Sequence, residues 1–283
     1  MLTAPASYAQ SRLWFLDQYE PDTSLYNIGR AFRLRGVPNI GALEWALGEV
    51  IRRHETLRTT FLAPSGEPLQ AIASPAGFEL PVTDLREAPR GGVDEAAREW
   101  LDREQWRPYD LASGPLFRAG LLRLSDEESW LSLAMHHIVS DEWSLQILNR
   151  ELTALYAARC AGAPSPLPEL TLQYRDYDVW QRGWLAAGAL KEQLEYWRGR
   201  LAGAPAVLEL PTDQPRPSVQ THNGAEQNAR FPMEILSGLQ TICRSAHASP
   251  FMGALSCWAI LLHRLSQQDE VVIGTPIANR QRV

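Results

Sequence analysis

The sequence predicts a mixed α/β (α+β) protein built in two lobes. Strand-like and helix-like segments alternate along the chain, and Ala163-Pro-Ser-Pro-Leu-Pro168, which cannot continue a helix, separates them past the midpoint. A length of 283 residues, 45% of them hydrophobic, suffices for one large core or two modest ones. The expected division is 1–165 and 166–283. This composition excludes collagen, coiled coil and wholesale disorder. No apolar run reaches the roughly 20 residues of a membrane span. The N-terminus, Met-Leu-Thr-Ala-Pro, has no basic-then-apolar pattern, so a cytoplasmic protein is expected.

From Ile40 to Ile51 the apolar residues recur at helical spacing behind Asn39, a good N-cap. Leu57–Ala63 and Leu69–Ala73 flank Pro-Ser-Gly-Glu-Pro and read as two strands around a turn. Residues 93–105 read as a helix, and Leu116–Leu124 and Trp130–His137 as strands. A strong helix follows with Trp143, Ile147, Leu148, Leu152, Leu155 and Tyr156 on one stripe, ending near Ala161-Gly162. Beyond the proline-rich break, a helix is expected at about 173–200, an extended stretch through Pro217, two helices at about 233–247 and 250–266, and a strand at Glu270–Gly274. An apolar strand laid down so near the last residue reads as part of something longer.

Charge narrows the partners. The net charge is −6, and the 27 basic residues, all arginine except Lys191, are scattered, so no nucleic-acid or anionic-membrane surface is expected. Cys160, Cys243 and Cys257 have no paired spacing and read as small core residues.

The densest chemistry lies in Met135-His136-His137-Ile138-Val139-Ser140-Asp141-Glu142-Trp143-Ser144. A strand delivers two histidines to a turn that opens a helix. Because side chains alternate along a strand, His137 should share a face with Leu131, Leu133 and Met135, and His136 with Ser132 and Ala134. One imidazole is then free to line a cavity and exchange protons, while the other braces the turn. Ser140 is the expected N-cap, with Asp141 and Glu142 in the first turn, where the helix dipole favours negative charge. The divergent histidines lack further ligands nearby, so no metal site is expected. Gly-x-Ser-x-Gly and a glycine-rich phosphate loop are both absent.

His-His-x-x-x-Asp ahead of a Trp-Ser helix resembles the active-site motif of condensation domains of nonribosomal peptide synthetases. Further stretches match that family in its order: Ser7-Tyr-Ala-Gln-Ser-Arg-Leu-Trp-Phe-Leu16, Arg53-His-Glu-Thr-Leu-Arg-Thr-Thr-Phe61, Tyr109-Asp-Leu-Ala-Ser-Gly-Pro-Leu-Phe117, Tyr174-Arg-Asp-Tyr-Asp-Val-Trp-Gln181 and Ile273-Gly-Thr-Pro-Ile-Ala-Asn-Arg280. The resemblance implies a chloramphenicol-acetyltransferase-like two-lobe condensation fold, with the N-terminal lobe complete and the C-terminal lobe partial. It implies peptide-bond formation between thioesters carried by donor and acceptor peptidyl carrier proteins, beside adenylation modules of a synthetase. No cofactor would be intrinsic, phosphopantetheine arriving on the carriers.

By the same resemblance His137 is catalytic and His136, Asp141 and Arg58 support the site, with Asp141 paired to Arg58. His54 and the stretches 7–16 and 174–181 are expected to be structural, and Trp143 to be core. Glu142 stands where the family has glycine. Glu142 and Ser144 are candidates to line the tunnel. An inward Glu142 would narrow it, so that Glu142→Gly would raise the rate; an outward Glu142 would be harmless. The intact histidine pair argues against a heterocyclisation domain, and the first motif against an epimerisation domain; the wording suits an L-donor, L-acceptor type. Two other readings remain open: a carrier- or partner-recruiting module without activity, and a stand-alone acyltransferase using a diffusible thioester.

Overall fold

A computed structural model describes residues 2–87, 93–222, 224–225 and 227–277. The chain forms two compact units that part between Ala189 and Leu190, later than the proline-rich break at which a division was expected.

The first unit carries two sheets. One has the order β1 (Leu2–Pro5), β4 (Leu69–Ile72), β3 (Thr59–Leu62), all antiparallel. The other runs β2 (Asn27–Arg35), β7 (Glu128–His136), β6 (Phe117–Arg123), β5 (Val82–Asp84), with only β5 parallel to its neighbour. Alternation along β7 explains what covers each face. Leu131, Leu133 and Met135 enter a core shared with α2 (Ile40–Arg53) and α4 (Glu142–Cys160), whose Leu47, Val50 and Leu155 are fully buried. The opposite face carries Leu122 against Ala97 and Trp100 of α3 (Val93–Trp106).

The expected helix and strand pairs are present. Asn39 Oδ1 accepts the Ala42 N–H at 3.0 Å as the cap of α2, and α4 ends at Ala161-Gly162, where Gly162 has φ +69. Several expectations are corrected. Leu57 and Arg58 belong to a 3-10 turn, Glu55–Arg58, rather than to β3. The stretch from 173 to 200 is two helices, α5 (Tyr174–Ala186) and α6 (Lys191–Arg200), because Gly188 between them adopts φ +85. Glu270–Gly274 forms no strand: a strand needs a pairing partner, and the described residues of the second unit contain none. Cys243 is buried as expected, but Cys160 and Cys257 are exposed. Trp143 is 50% exposed, because it precedes the stripe that begins at Leu145.

α1 (Tyr8–Tyr19) begins with a capping box between Ser7 and Gln10. α5 belongs to the first unit because polar contacts fasten it there. Gln173 Nε2 donates to the Arg53 carbonyl at 2.9 Å, and Arg182 Nε donates to the Ala6 carbonyl at 2.8 Å. Asp178 is fully buried against β4, where Gln70 Nε2 donates to its Oδ2 at 2.7 Å and Oδ1 has no hydrogen-bond partner.

Burial pushes the Asp178 carboxyl up to about 7, against the lowering effects of Gln70 and Arg182. An aspartate in the unfolded chain ionises near 4. Between the two values the unfolded state binds fewer protons, so stability is lost as pH rises toward 7 and the loss is complete above it. Asp178→Asn removes this titration. The variant should exceed the parent by about 1–3 kcal/mol at pH 8, with the difference closing toward pH 4. Urea unfolding at pH 8 and pH 5 measures this, and a pH-independent difference would contradict it.

In the second unit, α6 is followed by irregular chain and then by α7 (Met233–Ser245) and α8 (Pro250–Ser266). Ser249 caps α8 by accepting the Met252 N–H at 3.2 Å, with Pro250 at the first helical position. No single helix among the described residues is long and apolar enough to cross a membrane. Of the motif Ile273–Arg280, residues 278–280 lie outside the described residues.

Candidate active site

β7 ends at His136, and α4 starts at Glu142, leaving a short turn that carries His137. His136 keeps the predicted face, with Asn27 opposite it on β2. His137 does not, because the strand has already ended: it is exposed, and its N–H donates to the Tyr26 carbonyl at 2.7 Å.

His136 is 2% exposed, between the edge-on rings of Tyr26 and Tyr109, each 6.2 Å away. Its Nδ1 accepts the Ile138 N–H at 3.1 Å, which assigns the proton of the neutral ring to Nε2. Burial, with a smaller contribution from His137, pushes its pKa down to about 4. His136 is thus a fixed neutral brace, and His137 is the imidazole presented outward.

The helix cap differs from the expectation. Asp141, not Ser140, is the N-cap: its Oδ1 accepts the Ser144 N–H at 2.8 Å and the Ser144 hydroxyl at 2.6 Å. Ser144 therefore spends its hydroxyl on the turn. Arg58 takes a different acid from the one implied. It lies 3.7 Å from Glu55 and donates to the Ala73 carbonyl, and the implied Arg58–Asp141 pair is not among the described ion pairs. The 3-10 turn directs Arg58 toward its own i−3 neighbour.

Among the described residues of this unit, a buried ion pair lies one turn earlier in the second motif. Arg53 Nε donates to Glu151 Oε2 at 3.2 Å, with the two side chains only 2% and 8% exposed. His54 Nε2 sits 2.9 Å from the same oxygen, which gives His54 its structural place. Burial raises the Glu151 carboxyl, but the hydrogen bonds from Arg53 and His54 outweigh it and hold the group below its ordinary value. No spacing rule pointed to Glu151; the packing of α2 on α4 brings it there.

Glu142 is exposed and lies in the first turn of α4. It pairs with Arg30 of β2 at 2.7 Å, and its side chain is 69% exposed. Arg30 neutralises the carboxylate where it stands, so Glu142→Gly should leave the transfer rate within about twofold of the parent. A rise well beyond that in a carrier-loading assay would show that the side chain turns inward when substrates bind. Among the described residues no three His, Cys, Asp or Glu side chains come together as a metal site.

A family model, Condensation domain, matches residues 2–282. The chain belongs to the condensation-domain family. It is 46% identical over 278 residues to phosphinothricin tripeptide synthetase PhsC of Streptomyces viridochromogenes, covering 98% of this chain and 26% of that synthetase. Among solved structures it resembles the X-domain of teicoplanin biosynthesis in complex with OxyB, with TM-score 0.79 and 29% identity over 94% of this chain and 57% of that one. It also resembles the starter condensation domain of rhizomide synthetase RzmA, with TM-score 0.65 and 25% identity over 73% of this chain and 49% of that one. The mixed α/β condensation fold implied by the motifs is the fold of this chain. The chain spans about a quarter of the curated relative and about half of each solved structure.

Proposed function

We propose that this condensation domain forms a peptide bond between two thioesters held by carrier proteins of a cytoplasmic nonribosomal peptide synthetase. The α-amine of the acceptor aminoacyl thioester attacks the donor carbonyl and a C–N bond forms. The donor C–S bond breaks, and the proton lost by the amine ends on the departing thiol. His137 orients the amine and handles that proton. His136 holds the turn. Donor and acceptor arms are phosphopantetheine thioesters of partner carriers, loaded by adenylation modules, and the domain itself supplies no cofactor.

The observation that carries this reading is the division of labour in the histidine pair. One ring is buried, neutral and bonded to backbone, and the next is exposed on a peptide anchored to Tyr26. A second reading, a recruiting module without turnover, draws on the likeness to an X-domain solved with OxyB. The test loads donor and acceptor carriers with different aminoacyl groups, adds the synthetase module that contains this domain, and weighs the acceptor carrier. A dipeptidyl mass supports the enzyme. Carrier binding without any such mass supports the recruiting module.

A further inference from the structure

Gln10 belongs to a motif expected to serve packing, yet it is a polar side chain only 2% exposed. Its oxygen is committed: Oε1 accepts the Ser7 N–H at 2.9 Å, one half of the capping box on α1. With the oxygen so used, the flip of the amide is set, and Nε2 donates to the Ile138 carbonyl at 3.4 Å. Ile138 follows His137 directly. The other groups around it are tied as well: His137 N–H to Tyr26, Ile138 N–H to His136 Nδ1, and Val139 N–H to the His136 carbonyl at 3.1 Å. Among the described hydrogen bonds, Gln10 supplies the only side chain from another element that bonds the backbone of residues 137–139.

The choice of residue type supports a second duty. A capping box accepts glutamate as readily as glutamine, because only an acceptor oxygen is needed. An ionised glutamate at this position would cap α1 equally well and turn its second oxygen on the Ile138 carbonyl, oxygen facing oxygen. Glutamine alone satisfies both ends. The link extends further, since Ser7 Oγ accepts the Gln10 N–H at 3.1 Å and lies 3.3 Å from the Tyr174 hydroxyl of α5. Parts of three motifs therefore meet at Ser7 and Gln10.

We propose that Gln10 is a positioning residue for His137: its amide fixes the peptide that follows the histidine, and so the direction in which the imidazole meets the reacting amine. This rests on the peptide-bond-forming role proposed above.

The test uses the complete synthetase module with Gln10→Glu, which keeps volume and cap, and with Gln10→Met, which keeps volume but removes both bonds. Both should lower kcat by about tenfold or more while KM for the loaded carriers stays within about twofold, the signature of misorientation rather than lost binding. The Gln10→Glu loss should shrink at lower pH, where a protonated acid can again donate to Ile138. Hydrogen exchange over residues 131–145 supplies a readout independent of turnover. The amides of Ile138 and Val139 should exchange about tenfold faster in both variants, with Leu131 and Leu133 unchanged. Parental kcat and parental exchange in both variants would overturn the proposal, as would a loss confined to KM. If the parent yields no dipeptide, the functional reading falls, and the exchange result still decides whether Gln10 holds the turn.

Discussion

Glu151→Ala should destabilise the first unit by about 3–5 kcal/mol at pH 7, the usual penalty for stranding one partner of a buried pair. Arg53 is the residue stranded. Its side chain is 2% exposed, and apart from Glu151 its described bond is to the Pro168 carbonyl at 2.9 Å, which cannot neutralise it. His54 loses its carboxylate at the same time. Because Arg53 and His54 hold Glu151 below its ordinary value, the pair's stabilisation is present above the unfolded-state pKa of about 4.3. It is lost as pH falls through the folded value, so parent and variant should converge in acid. Replacing both partners, Arg53→Met with Glu151→Leu, should cost much less than the single change, because no charge is left unpaired. Urea unfolding at pH 7 measures all three proteins. A loss below about 1 kcal/mol for Glu151→Ala would mean that water reaches Arg53.

Much of the fold was legible because it depends on local pattern. The stripe of α2 behind Asn39 and the paired strands β6 and β7 are periodic and long enough to declare themselves. What was missed is short or conditional. β1 has four residues and β5 three, too few to show a period. β2 alternates Ile28, Phe32 and Leu34 with Ala31, Arg33 and Arg35, a readable signal that Arg30 on the apolar face obscures. Glu270–Gly274 has strand composition, but a strand is made by its neighbour, and the described residues offer none.

The site divides along the same line. Alternation separates the two adjacent histidines, but it also sets His137 beside Leu131, Leu133 and Met135, and that part fails because the strand ends at His136 and His137 is exposed on the turn. Partners distant in sequence cannot be assigned so. Arg58 and Arg53 lie in the same motif, and only the packing of α2 on α4 decides that the buried acid is Glu151 and belongs to Arg53. Ser140 and Asp141 are both good N-caps by residue type. The helix starts at Glu142, one residue later than Ser140 would require. Gln10 was hidden for another reason: its second bond reaches a backbone carbonyl 128 residues away, and no side-chain pattern records a carbonyl.

His137→Ala bears most directly on the account as a whole. The ring is exposed and its peptide is held through Tyr26, so its removal should leave the first unit folded. On the proposed reading, what is lost is the imidazole that orients the amine and carries its proton, a contribution of about 10²–10⁴ in rate. If the ring serves the chemical step alone, binding of the carriers should be unaffected. The decisive measurement is the single-turnover rate constant for dipeptide appearance on the acceptor carrier, parent and His137→Ala side by side with both carriers saturating. A fall of at least about 100-fold, with unchanged carrier affinity, is the predicted result. Equal rate constants would remove His137 from the chemistry, and with it the proposed role of the turn that Gln10, His136 and Tyr26 hold in place.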